Sequence, residues 1–417
     1  MQDSTGTGPV SKQVGRRQLL AAVGGSVAAT TLAGCLGGDD DVVTIGALSP
    51  LSGDWTVYGE AHSRGLELAI QEVNEAGGIN DQEVEIDLRD TETLPETVTE
   101  QATQLVREQE VDVVAGTFSS AERNAAGPIV TNAEVPLLYP TFYEGQSQDN
   151  FPGVCNELIF MFGPVPSQQV NPWMEYIVSN HGDRFYFIGS DYVWPQETSR
   201  RVAEALEAEG GEVVGEEFIP LGTTDFSSPI GNIQNADPDV VFGTLTGQDS
   251  ISFARQFYDQ ELHEEITYWT INDEEFATEG KGEDASYGTY VSFDYFNMID
   301  TPENQEFLDL AREEYGDDAG MNTVGAAMYN VGHMYARAAN AAGTTGVDDI
   351  IDELEGMTHE GPQGEVHMRE EDHQMVLPSY LVRATDSFDD YDEMFEIIDS
   401  TGPVDPEDAD CDFPLSR

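Results

Sequence analysis

From residue 42 onward the chain alternates short apolar runs with amphipathic ones, in two successive series. Residues 42–49 are β-branched and apolar, as in a strand buried on both faces. Residues 61–75 place Leu66, Ala69, Ile70 and Val73 on one helical face, and Gly77-Gly78 stops that helix. Strand-like runs at 84–88, 111–115 and 135–139 alternate with helical ones at 96–108 and from about 121. After Pro172 the alternation resumes, with strands at 184–189, 212–219, 239–245 and 267–271 and helices at 197–208, 226–236 and 248–258. An extended run at 291–296 and helices from Thr301, at 324–341 and at 348–354 follow, before mostly extended segments to the end. Such a βα series predicts parallel sheets with right-handed crossovers. Two series predict two similar lobes whose strand-end loops face each other across a cleft, an arrangement suited to hinged closure.

Those loops are rich in hydroxyls and rings. LLYPTFYEGQ at 137–146 runs a strand straight into Pro-Thr-Phe-Tyr. The strand at 111–115 ends in Gly116-Thr117-Phe118-Ser119-Ser120, and that at 184–189 in Ser190-Asp191-Tyr192-Val193-Trp194. Hydroxyls both donate and accept, and tyrosine adds an apolar face. In open α/β sheets the carboxyl ends of the strands are where ligands bind.

Charge narrows the partners. Eighty acidic residues stand against 17 basic ones, for a net charge of −63, spread along nearly the whole chain. Diffuse acidity reads as a whole-surface adaptation to molar salt, as in an extreme halophile, because salt screens the self-repulsion. It excludes nucleic acid as a partner, since phosphate binding needs clustered Lys and Arg. The seven histidines show no H-E-x-x-H spacing, and neither a G-x-S-x-G elbow nor a Walker loop occurs. No enzyme, metal or cofactor is therefore expected.

The first 41 residues read as an address and a tether. Arg16-Arg17 in VGRRQLL precede an uncharged Leu/Ala/Gly/Thr stretch, as in a twin-arginine export signal. Leu32-Ala33-Gly34-Cys35 resembles a lipobox, which makes Cys35 a lipidation site and 35–41 a lipidated tether. A location outside the cell would permit one disulfide between the other two cysteines, Cys155 and Cys411; free thiols are the alternative.

VTIGALSPLSG (43–53), YPTFYEGQ (139–146), FIGSDYVWPQE (187–197), GGEVVGEEFIPLGTTDFSS (210–228) and DPDVVFGTL (237–245) carry a family likeness, extended by DYFNMIDTPEN (294–304) and GPQGEV (361–366). They resemble type I periplasmic solute-binding proteins, and within the branched-chain amino acid group they resemble the urea and short-chain amide branch. The resemblance covers roughly 42–405. It implies a two-lobed receptor that delivers an amide-type solute to the permease and ATPase subunits of an ABC transporter, as a lipid-anchored monomer. A branched-chain or other amino acid receptor, or a ligand sensor, is the alternative. The implied division is 42–163 plus 292–352 for lobe one, 164–291 plus 353–400 for lobe two, and 401–417 for a tail. The implied ligand residues are Phe118, Ser119, Ser120, Tyr139, Thr141 and Tyr143 in lobe one, and Tyr192, Trp194, Thr244, Thr246, Gly247, Glu275 and Tyr295 opposite. Phe118, Trp194 and Gly325 depart from the branch, which typically has Trp or Tyr, Phe or Tyr, and Glu there.

Overall fold

The computed structural model describes residues 42–53, 55–146, 155–316, 321–388, 391–407 and 411. The expected export signal, lipobox and tether lie outside the described residues.

The first sheet comprises β1 (Val43–Ser49), β2 (Val84–Asp90), β3 (Val113–Gly116), β4 (Leu137–Tyr139) and β5 (Ile159–Met161). All are parallel, in the order β2-β1-β3-β4-β5. Its crossovers are α1 (Thr56–Glu75), α2 (Pro95–Arg107) and α3 (Ser120–Asn132). Alternation along β1 sends Val43, Ile45 and Ala47 to one core and Leu48 to the other, so both faces are covered.

The chain then passes through α4 (Pro166–His181) into the second sheet. Its parallel part is built from β6 (Arg184–Ser190), α5 (Val193–Ala208), β7 (Glu212–Ile219), α6 (Ser227–Ala236), β8 (Val240–Thr244), α7 (Gln248–Asp259) and β9 (Thr267–Thr270). The short helices α8 (Glu275–Lys281) and α9 (Glu283–Ser286) lead to β10 (Tyr290–Phe293). After β10 come α10 (Pro302–Tyr315), α11 (Thr323–Ala342) and α12 (Val347–Leu354), and then a small antiparallel sheet of β11 (Thr358–Gly361), β12 (Gly364–Met368) and β13 (Met375–Val376). Finally β14 (Tyr380–Ala384) and β15 (Phe395–Ser400) add antiparallel to the second sheet, giving β15-β14-β10-β9-β8-β6-β7. The fold is the two-lobed α/β arrangement expected from the alternation.

Two details differ from the sequence reading. Pro172, which marks the start of the second series in the sequence, lies inside α4. Its missing N–H removes one intrahelical bond, but Val170, Trp173, Met174 and Ile177 hold the helix against the second sheet. Gly325 has a packing reason: a Cβ on Gly65 of α1 would lie 2.0 Å from the Gly325 carbonyl oxygen, so the two helices cross almost backbone to backbone. A Cβ at 325 would meet the Ala61 carbonyl oxygen at 3.1 Å. A longer side chain there would push α11 off α1.

Cys155 and Cys411 are joined, with Cα atoms 5.3 Å apart and 256 positions apart in sequence. Closing so long a loop restricts the unfolded chain, and reduction should cost about 2–4 kcal/mol. Thermal melts in molar salt with and without dithiothreitol should separate accordingly; coincident melts would show that the bond adds no stability. No described helix is long and apolar enough to cross a membrane.

Candidate functional site

The carboxyl ends of β1, β3, β4, β6, β8 and β9 converge on one cleft, because strands of a parallel sheet all present that end on the same edge. A cavity of about 20 Å³ lies between them. Lobe one supplies Trp55 and Tyr58 from the β1–α1 connection and the start of α1, Phe118, Ser119 and Ser120 from the β3–α3 junction, and Thr141 and Phe142 after β4. Lobe two supplies Tyr192 and Trp194 after β6, Thr246 and Gly247 after β8, and Asn272 after β9.

A ladder of rings crosses from lobe to lobe. Tyr58 stacks on Phe118 with centroids 4.9 Å apart, and Trp55 tilts against the same ring at 5.2 Å. Phe118 meets Phe142 edge-on at 6.3 Å, and Phe142 meets Trp194 at 5.2 Å. Among these rings the indole N–H of Trp194 is buried without a partner among the described residues. A buried donor left unpaired is costly, so it suits a ligand oxygen.

The polar floor is built at the start of α3. Ser119 caps that helix through its hydroxyl, which accepts the Glu122 N–H, while Glu122 Oε2 accepts the Ser119 N–H at 2.7 Å and the Phe118 N–H at 3.3 Å. The Glu122 side chain is wholly buried, so a carboxylate already occupies the positive end of the helix. The Ser120 hydroxyl donates to Glu144 Oε2 at 2.7 Å, and Arg123 holds Glu144 Oε1 at 2.7 Å. The Thr141 hydroxyl donates to the Thr117 carbonyl at 3.3 Å. Opposite, the Thr246 N–H donates to the Ser190 hydroxyl oxygen at 3.1 Å. Burial pushes the Tyr192 hydroxyl well above its ordinary pKa, so it stays neutral. Among the described lining residues none is Lys or Arg.

The expected site residues divide. Phe118, Ser119, Ser120, Thr141, Tyr192, Trp194, Thr246 and Gly247 line the cavity. Tyr139 is buried, and its hydroxyl donates to the Phe118 carbonyl at 2.7 Å. The Tyr143 hydroxyl donates to Gln374 next to β13. Thr244 ends β8 fully buried. Glu275 opens α8, and its Oε1 accepts the Asn297 N–H at 2.7 Å. Tyr295 donates to Asn304 at 2.8 Å. These five support the walls. Trp55, Tyr58, Phe142, Asn272 and Glu122 are not singled out in the sequence; the S-x-x-E spacing of Ser119 and Glu122 was the available signal for the last.

A carboxylate run, Asp273-Glu274-Glu275, sits buried at the end of β9. Lys281, itself buried, pairs with Asp273 and lies over the Tyr268 ring. Glu274 Oε2 caps α8 by accepting the Phe276 N–H at 2.7 Å, and the Tyr58 hydroxyl faces the same carboxyl from the opposite lobe. Burial and then the Glu275 charge push the Glu274 carboxyl up to about 8.

Fold and cleft together are those of a receptor that closes on a solute. The chain belongs to the periplasmic binding protein family, whose sequence profile matches residues 42–389. It is similar to the Leu/Ile/Val-binding protein homolog 6 of Brucella melitensis, 25% identical over 349 residues, covering 82% of this chain and 87% of the relative. Among solved structures it resembles an ABC transporter substrate-binding protein from Sphaerobacter thermophilus (TM-score 0.78, 26% identity, 89% of this chain and 100% of that one). It also resembles a solute-binding protein of R. palustris solved with 4-hydroxybenzoate (TM-score 0.78, 20% identity, 87% and 98%).

Proposed function

We propose that this chain is the extracytoplasmic receptor of an ABC importer, taking urea or a short-chain amide between its lobes and handing it to the permease. We also propose export through the twin-arginine segment, anchoring through a lipid on Cys35, and work in molar salt. The observation that supports the ligand class is Glu122 at the start of α3. A free amino acid or an aromatic acid brings a carboxylate that needs a cation or an open helix N-terminus. Here the lining residues described include no cation, and the helix end already holds a buried carboxylate. A planar neutral amide needs a donor for its carbonyl and acceptors for its N–H groups. The Trp194 indole and the hydroxyls of Ser119, Thr141 and Thr246 are of those types.

The names of the curated relatives favour a second reading, a branched-chain amino acid. Titration calorimetry of the mature chain in molar salt against urea, acetamide, leucine and 4-hydroxybenzoate separates them. Saturable heat with the amides and none with the two acids is expected. Leucine binding without an amide response would overturn the amide reading.

A further inference from the structure

We propose that the solute carries an apolar substituent, and that this group lies in a groove running outward from the cavity between Val57 and Leu221. This rests on the amide reading and refines it to N-alkyl, N-aryl or longer-chain amides and ureas. The inner cavity, about 20 Å³, is the size of one or two waters and suits the polar end of a solute. A groove of about 520 Å³ adjoins it and shares Trp55, Tyr58, Thr246 and Gly247, so the two form one continuous site.

Away from those shared residues the groove becomes apolar. Val57 in the first turn of α1 is 50% exposed and Leu221 beyond β7 is 55% exposed, and they line the groove from opposite lobes together with Ile251 and Phe276. Large apolar side chains are this exposed at few places on the described surface of a chain whose net charge is −63. The groove also contains Gln248, which is exposed and neutral, and Asp249, whose side chain is buried and accepts the Gly222 N–H at 3.1 Å, bracing the Leu221 turn. With no cation lining it, the groove is matched to a neutral hydrocarbon group, whose burial strengthens binding in proportion to the area covered.

The test is calorimetry of the full mature chain in molar salt with urea, acetamide, hexanamide and phenylurea. Hexanamide and phenylurea should bind about ten-fold tighter than acetamide or more. Leu221→Asp and Val57→Asp, both at exposed positions, should bring the phenylurea-to-acetamide ratio toward one. Val213→Asp, on the far edge strand β7, should leave that ratio as it is. If urea and acetamide bind but the substituted compounds bind no tighter, the groove proposal fails while the amide reading stands. A ratio insensitive to Leu221→Asp and Val57→Asp also overturns the groove. If no amide of either kind binds, the amide reading fails and takes the groove with it.

Discussion

Replacing Arg123 by methionine should destabilise the protein by about 3–5 kcal/mol, the typical cost of stranding one member of a buried ion pair. The Arg123 and Glu144 side chains are 1% and 0% exposed, with Nη2 and Oε1 2.7 Å apart. The guanidinium also lies 5.2 Å from the Tyr139 ring centre and 5.3 Å from that of Tyr143. Without it the Glu144 carboxylate stays buried against the Ser120 hydroxyl, and the turn that follows β4 loses its clamp to α3. Salt does not soften this, because screening acts on exposed charges. Denaturant unfolding in molar salt measures it. The double variant Arg123→Met/Glu144→Leu should recover much of the loss, since no charge is then left unpaired. A single variant within about 1 kcal/mol of the parent would show that the pair does not hold the wall.

Stability should fall as pH rises from about 6.5 to 8, against the usual behaviour of carboxylates. Below that window the buried imidazoles of His62 and His359, lowered to about 3 and about 4 by burial, offset the trend because they add stability as pH rises. Glu274 titrates near 8 when folded, raised by burial and the Glu275 charge from an unfolded value of 4.5. Asp294, just beyond β10, is raised by burial to about 7 from 3.8, although its Oδ1 accepts from the Thr323 hydroxyl. A carboxyl with a raised folded pKa binds its proton more tightly when folded. Its contribution is therefore complete below the unfolded value and is lost as pH climbs through the folded one. For Glu274 the loss is on the order of 3–5 kcal/mol. Unfolding curves from pH 6.5 to 9 should show the decline, and Glu274→Gln should flatten it. Parallel slopes for parent and variant would refute this assignment. Because the Tyr58 hydroxyl faces the same carboxyl across the cleft, what it faces changes over the same range from a neutral acid to a carboxylate.

Much of this was legible because period and punctuation survive in single sequences. Helical spacing in α1 and β-branched runs in β1 and β8 are properties of consecutive residues, and the rule that parallel strands present one common edge led to the loops. Side-chain direction was harder. Phe142 and Tyr143 are neighbours on one extended turn, and one step reverses the face. Phe142 enters the cavity, while Tyr143 reaches back to Gln374. Glu275 belongs to an acidic run that reads as a strand tip, but α8 begins there and turns the carboxylate onto the Asn297 N–H. Trp55 and Tyr58 follow the first strand directly, and the rule applied to the later strands would have found them. The Gly65–Gly325 crossing is invisible in sequence because it joins residues 260 positions apart.

The pairing of Lys281 with Asp273 has a practical side. The sequence contains two lysines, and Lys12 precedes Cys35, so a chain processed at Cys35 retains Lys281 alone. The Lys281 side chain is 1% exposed, and its amine is shut between Asp273 and the Tyr268 ring. Reagents that acylate or cross-link ε-amines therefore have a single address on the processed chain, closed while α8 is docked. Modification at Lys281 becomes a readout of how often this wall of the cleft opens.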